Sequence, residues 1–260
     1  INKRYPDAFY NLGINYSEGK GVEQDYKKAI EYYEQAADLK YANAFNRLGV
    51  LYYFGNGVKQ DYKKANEYFH KAAELGVPVA FYNLGNSYSS GKGVKQDYKK
   101  AIEYYEKAAD LQYADAFNQL GLLYDFGNGF KQDYTKANEY YQKAAELGVP
   151  AAFYNLGNNY SKGNGVKQDY KKAIEYYEKA ADLKYANAFN QLGVLYDFGN
   201  GVKQDYTKAN EYYQKAADLG KPSGYYNIGH HYENAGFFRR DYAKAIEYYQ
   251  KAADLKYAKA

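Results

Sequence analysis

Between residues 152 and 187 the chain shows two runs of helical periodicity. Phe153, Leu156, Gly157 and Tyr160 recur at three- and four-residue spacing and make one apolar stripe, which predicts a first helix from about Ala152 to Ser161. The stretch KGNGVKQ follows, with glycines that stop the helix and reverse the chain. Asp169 stands directly before a second periodic run, YKKAIEYYEKAADL, where its carboxylate can accept from free first-turn amides, so it is the predicted N-cap. In this second helix Ala173, Ala180 and Ala181 lie on faces where small side chains let neighbours approach, and Tyr176 and Tyr177 project from between them. Helices this short are marginal alone, and each has only its neighbours to bury its stripe against.

The same pattern recurs along the chain. AFYNLG or AFNQLG begins at Ala8, Ala44, Ala80, Ala116, Ala152 and Ala188, and returns as GYYNIG at Gly224, always 36 residues apart. The predicted fold is therefore all-α, a one-dimensional solenoid of seven helix-turn-helix repeats in a single domain: 8–43, 44–79, 80–115, 116–151, 152–187, 188–223 and 224–259. Residues 1–7 read as the end of a preceding repeat or an N-terminal cap, since Tyr5 falls where Tyr41 and Tyr113 fall, and Ala260 stands where an eighth repeat would begin. Both ends read as cuts from a longer array, and Ile1 as the first residue of a processed or excised segment.

A second period overlies the first. Repeats beginning at 8, 80, 152 and 224 carry Tyr10, Tyr82, Tyr154 and Tyr226, whereas the intervening ones carry Asn46, Asn118 and Asn190. The second helices alternate in step, with Ile30, Ile102, Ile174 and Ile246 against Asn66, Asn138 and Asn210. The repeating unit is thus about 72 residues, and segments 80–115 and 152–187 differ at only five positions, as copying in pairs would leave them.

Composition changes the picture in two ways. The chain of 260 residues has no Cys, Met or Trp but 38 Tyr and 13 Phe, so aromatic rings must fill the space that Leu and Met usually fill. Without Cys there are no disulfides, thiolate zinc sites or cysteine nucleophiles. A formal charge of +4 on 66 charged residues is too mild to argue for nucleic acid, and no membrane span or signal peptide is legible, leaving the compartment open.

The order Ala152, Leu156, Gly157, Tyr160, Gly163, Gly165, Val166, Asp169, Lys172, Ala173, Tyr176, Ala180 and Ala181, with its copies, resembles the Sel1-like repeat. That family is similar to tetratricopeptide repeats, and the resemblance implies a right-handed superhelix of helix pairs, an α-α superhelix. It also implies an adaptor or scaffold in protein assemblies, among them bacterial signalling, host-interaction and toxin-immunity proteins. One cysteine-rich branch is associated with β-lactams; this chain has none of its cysteines.

The tetratricopeptide analogy implies that the first helices line a concave face. The candidate partner-binding residues there are Tyr10, Asn46, Tyr53, Tyr82, Asn86, Asn118, Asp125, Tyr154, Asn158, Asn190, Asp197, Tyr226 and His230, flanked by Phe54, Phe126 and Phe198. The tyrosines would be rigid anchors and the asparagines would pair with a peptide backbone. The surface reads as aromatic, amide-rich and mildly acidic, which suits a protein or peptide that is neutral or basic. Lys162 is its single basic residue, which disfavours a carboxylate clamp. On this reading, replacing Tyr82 and Tyr154 by Ala abolishes binding and leaves melting nearly intact. Self-association end to end is the architectural alternative.

Several short motifs look chemical. Asp125-Phe126-Gly127 and Asp197-Phe198-Gly199 imitate the magnesium triplet of kinases, but the glycine-rich loop on strands, strand lysine and catalytic loop are missing, so a helix end and its turn is the reading. Gly-Lys-Gly at 91–93 has no Gly-Lys-Ser/Thr to make a phosphate loop, and Asp125 to Gly129 lacks a calcium loop's alternating carboxylates. Lys27-Lys28 reads as a solvated helix face, and the sequons at Asn15 and Asn159 fall inside helices. The seventh repeat departs from the rest, with AGFFRRD in place of the usual loop and with His230 and His231. Adjacent histidines point about 100° apart on a helix, a poor metal pair. Phe237, Phe238, Arg239 and Arg240 would make an end-specific contact. An acid–base role would need His230 or His231 closed in with a carboxylate such as Glu233. No cofactor, metal site or catalytic group is expected, and the chain reads as non-enzymatic.

Overall fold

The computed structural model describes residues 5–129, 131–234 and 240–257. Among these residues there are fourteen helices and no strand. They are α1 (Pro6–Glu18), α2 (Tyr26–Asp38), α3 (Ala42–Phe54), α4 (Tyr62–Glu74), α5 (Pro78–Ser90), α6 (Tyr98–Asp110) and α7 (Ala114–Phe126). Then follow α8 (Tyr134–Glu146), α9 (Pro150–Lys162), α10 (Tyr170–Asp182), α11 (Ala186–Phe198), α12 (Tyr206–Asp218), α13 (Pro222–Asn234) and α14 (Tyr242–Tyr257). The chain forms two compact units, Ile1–Gln132 and Asp133–Ala260. In each unit every helix packs on the next in sequence.

The helix ends follow from local chemistry. Asp169 accepts from the backbone N–H of Lys171 and Lys172 at 3.0 and 3.1 Å, and Asp25, Asp61, Asp97, Asp133, Asp205 and Asp241 cap their helices in the same way. Each such cap is worth about 1 kcal/mol. The odd-numbered helices α1 to α11 end in a left-handed glycine; Gly163, at φ 76°, donates its N–H to Asn159 O. A glutamine then folds the loop back over the helix end, as Gln168 Nε2 donates to Ser161 O at 2.8 Å and Gln204 Nε2 to Asp197 O at 2.7 Å. Asp197-Phe198-Gly199 is therefore the close of α11 and its turn, with Gly199 at φ 71°. Val202 is partly buried against the neighbouring core.

In the first, second, third, fifth and sixth repeats the core is one aromatic ring laid on one glycine. Tyr33, Phe69, Tyr105, Tyr141, Tyr177 and Tyr213 are almost wholly buried, and alanines such as Ala101, Ala108, Ala173 and Ala180 are sealed from solvent beside them. A Cβ placed on Gly85 would stand 2.5 Å from Tyr105 Cε1, and Gly13, Gly49, Gly157 and Gly193 meet Tyr33, Phe69, Tyr177 and Tyr213 as closely. The glycine thus lets the two helices of a repeat approach to the thickness of a ring.

Two kinds of seam explain the longer period. In the first unit Tyr10 packs between Tyr33 and Tyr41, with ring centroids 5.7 and 4.8 Å away, and Tyr82 packs likewise between Tyr105 and Tyr113. At the next seam Val77 replaces the tyrosine, and Asn83 Nδ2 donates to Asn46 Oδ1 at 2.9 Å. In the second unit Tyr154 meets Tyr177 and Tyr185, while Asn190 accepts from Asn227 Nδ2 and Ser223 Oγ at 3.0 and 3.1 Å. The asparagines of the second helices also hold loops: Asn138 Nδ2 donates to Asn164 O at 2.9 Å and its Oδ1 accepts from Asn159 Nδ2 at 2.8 Å. In the first unit Asn66 Nδ2 makes the same loop bond to Lys92 O, but Ser87 stands where Asn159 stands, and Asn66 Oδ1 and Ser87 Oγ are buried without partners. The sequon at Asn159 is therefore a buried structural amide, 2% exposed.

Three outcomes follow for stability. Gly85→Ala gains helix propensity but drives a methyl into the Tyr105 ring, and overpacking wins, with a net loss of about 1–2 kcal/mol read from the urea midpoint; a more stable protein would refute the ring-on-glycine contact. Ser87→Asn supplies the missing donor to Asn66 and raises the melting temperature, by about 1 kcal/mol of stability. Burial pushes the phenols of Tyr33, Tyr105, Tyr177 and Tyr213 above their ordinary value of 10. Their folded pKa values lie above the unfolded one, so this stabilisation is complete below pH 10 and is lost as pH rises through the folded values. Phenolate absorbance should rise in two stages, the second coincident with loss of helical circular dichroism; one stage near pH 10 with helices intact would contradict this.

Candidate functional site

The first helices present one face in each unit, α1, α3, α5 and α7 in the first and α9, α11 and α13 in the second. Along it, second-helix tyrosines pass their hydroxyls to residues of the first helices. Tyr33 OH lies 3.2 Å from Ser17 Oγ, and Tyr105 OH donates to Asn86 Oδ1 at 2.7 Å. In the second unit Tyr177 OH donates to Asn158 Oδ1 at 2.8 Å, Tyr213 OH to Asp197 Oδ2 at 3.2 Å and Tyr249 OH to Glu233 Oε2 at 2.6 Å. Burial, with the Glu233 carboxylate beside it, pushes the Tyr249 phenol up to about 12. The second repeat breaks the scheme, because Phe69 has no hydroxyl; Tyr53 fills the facing position, its ring 6.4 Å from Phe69.

The sequence-derived candidates divide by environment. Tyr226 and His230 are exposed; Tyr10, Tyr53, Tyr82, Tyr154, Asn86, Asn158, Asp125, Asn190 and Asp197 are half-buried. Asn46 and Asn118, expected on the open face, are buried at 9% and 7% exposure, because a position two residues into the repeat lies in the seam between first helices. Asn46 and Asn190 already hold neighbouring asparagines. Tyr10, Tyr82 and Tyr154 at that position are half-buried and wedged between two rings, so truncating Tyr82 and Tyr154 also removes packing, contrary to the expectation of an intact melt. The most open aromatics on the face are instead Phe54, Phe126 and Phe198, at 63, 67 and 69% exposure.

The first unit contains a cavity of about 370 Å³ between α3, α5 and the loop after α5. Val50, Tyr53, Phe54, Phe69 and Tyr105 form its apolar and aromatic walls, and Asn83, Asn86, Ser89, Ser90 and Gln119 its polar ones. Lys92, from the loop, supplies the charge, its Nζ 4.8 Å from the Tyr53 ring centre and 5.4 Å from that of Tyr62. The Tyr53 hydroxyl beside it raises the affinity of this ammonium for its proton. Reading only first-helix positions misses Lys92, since it stands in the turn; four other repeats carry Asn56, Asn128, Asn164 and Asn200 there, and the first carries Lys20, which is paired with Glu18.

The second unit has a cavity of about 470 Å³ beside Asp197, Phe198, Tyr206, Asn210, His230 and His231. His231 Nδ1 is 3.8 Å from Asp197 Oδ1, and its ring centre is 4.7 Å from that of Tyr206. Glu233 is engaged by Tyr249 rather than by either histidine. Phe237, Phe238 and Arg239, read as an end-specific contact, lie outside the described residues. Among the described residues no group of three or more His, Asp or Glu could hold a metal ion, and no helix is long and apolar enough to cross a membrane. The second-helix lysines Lys28, Lys100 and Lys172 are exposed, and each sits 5.3 Å from the ring centre of Tyr16, Tyr88 or Tyr160.

Comparison with known proteins accords with this arrangement. The Sel1 repeat family model matches seven consecutive segments, residues 6–41, 42–77, 78–113, 114–149, 150–185, 187–221 and 222–257, generally starting each repeat at the first residue of a helix. The solved Sel1 repeat protein of Oxalobacter formigenes is 33% identical with a TM-score of 0.82, over 96% of this chain and 98% of that one. The protective antigen c5321 of uropathogenic Escherichia coli, which displays an SLR fold, is 34% identical with a TM-score of 0.78; the match covers 96% of this chain and 54% of c5321, so the present chain spans about half its length. The immunity protein Pa5087 of Pseudomonas aeruginosa is 26% identical over 82% of this chain and 81% of its own, with a TM-score of 0.55. No curated protein matches the chain. The repeated glycine-ring core, the aspartate caps and the seven family matches together place this chain in the Sel1 repeat family.

Proposed function

We propose that the chain is a non-catalytic interaction scaffold that holds an extended peptide or a partner domain on the face of its first helices. The observation that carries this is the set of open aromatic rings on that face, Phe54 and Phe126 in the first unit and Phe198 and Tyr226 in the second. Rings of this kind expose apolar area that water solvates poorly, and they bind with little ordering cost because only two torsions are fixed. Half-buried amides and hydroxyls beside them, such as Asn86 and Asn158, can satisfy a peptide backbone. Among Tyr10, Tyr82, Tyr154 and Tyr226, only the last is exposed enough to act as an anchor without repacking; the other three shape the face.

The likeness to Pa5087, an immunity protein, favours a second and narrower reading in which the partner is a toxin that the chain neutralises. Both readings require a protein partner.

Affinity capture with the intact array and with a Phe54→Ser, Phe126→Ser, Tyr226→Ser variant tests the site. These side chains are more than half exposed, so the melting curve should be unchanged while the captured partner is lost at least about tenfold, as truncation of hot-spot aromatics commonly causes. Equal capture by both proteins would refute the assignment of the face.

A further inference from the structure

The cavity at Lys92 differs in charge from the rest of the face. None of its lining residues is Asp or Glu, and its polar groups are amides, hydroxyls and one ammonium. Asn86 Oδ1 is taken by Tyr105 OH, which leaves the Asn86 amide hydrogens as donors. The Lys92 main chain is fixed by Asn66 Nδ2, 2.9 Å from its carbonyl oxygen, and its ammonium lies against Tyr53 and Tyr62. Cation–π contacts position an ammonium without neutralising it, so the positive charge stays available to a ligand. Beside it stand the aromatic walls Tyr53, Phe54 and Phe69.

We propose that this cavity binds an acidic side chain of a peptide, Asp or Glu, with the neighbouring apolar residue of that peptide seated on Phe54 and Tyr53. The carboxylate pairs with Lys92 Nζ and accepts from the Asn86 amide; the apolar residue covers the open Phe54 ring. A volume of about 370 Å³ accommodates two such side chains and excludes a folded domain. The positions in the second unit that correspond to Tyr53 and Ser89 are Asp197 and Glu233, whose charges oppose the same ligand. The first unit thus selects an acidic-apolar step within a partner that is otherwise neutral or basic. This deepens the scaffold reading and rests on it.

A phage library of random peptides panned on the full chain supplies the probe, and enriched sequences are remade as capped, labelled peptides for fluorescence anisotropy. Enriched peptides should share Asp or Glu next to an aromatic or branched aliphatic residue. Replacing that acid by its amide, or Lys92 by Gln, should each weaken binding about tenfold, while doing both weakens it no further. Asn86→Asp, which puts a carboxylate in the cavity, should weaken it at least as much, and a thermal melt verifies that each variant folds. Enriched peptides without an acidic preference, or affinities that ignore Lys92→Gln, overturn the acidic site. If those peptides still require Phe54, the scaffold reading survives; if no peptide is enriched, both fail.

Discussion

The stack depends on a ring pressed against a glycine. Burying one large apolar side chain contributes roughly 1.5–3 kcal/mol, against about 1 kcal/mol for an N-cap, so the ring contributes more to each repeat than any of its polar devices. It is available only because Gly13, Gly49, Gly85, Gly157 and Gly193 leave the space that a Cβ would occupy. The chain has no Met or Trp to fill gaps, and the alanines around the ring are almost fully buried, so the ring is tightly packed on their side. The glycine of the loop obeys the same logic between repeats: a Cβ on Gly93 would stand 2.5 Å from the carbonyl carbon of Tyr62, in the repeat before. One residue type therefore sets both the spacing inside a repeat and the spacing to its neighbour.

Much of this was legible in the sequence because a solenoid writes each local rule seven times. Asp169 was readable as a cap, Gly163 as a helix stop and Ala173 and Ala180 as close-packing positions, since each acts through neighbours only a few residues away. The roles of Tyr176 and Tyr177 were not separable by hydropathy: Tyr177 is the buried ring, whereas Tyr176 stacks on Tyr160 at 5.4 Å. Asn46 and Asn118 read as open-face residues in the sequence for the same reason. An amphipathic pattern marks one buried stripe, but a first helix in a stack is also covered on its flanks, and amides that bond across the seam look solvent-facing in one dimension.

The candidate site is harder to read than the fold, because its residues are those at which the repeats differ. Repetition makes the common positions loud and the departures faint. Phe69 in place of tyrosine and Lys92 in place of asparagine each alter a single side chain, yet they fall in one cavity with Tyr53 and Phe54. The second unit departs at the same register in the opposite sense, with Asp197 and Glu233 accepting the tyrosine hydroxyls. A shared repeat fold acquires individuality in this way, through a few exchanged side chains on an unchanged frame.

The tyrosine hydroxyls that reach the first helices have an optical consequence. A protein without tryptophan emits ultraviolet fluorescence from its phenols alone, and that emission is sensitive to what accepts the phenolic proton. Tyr105 reports through Asn86 and Tyr177 through Asn158, each buried ring wired to a residue at the rim of the face. Any ligand that competes for those amide oxygens changes the light the core emits, so the array carries its own label-free indicator of occupancy.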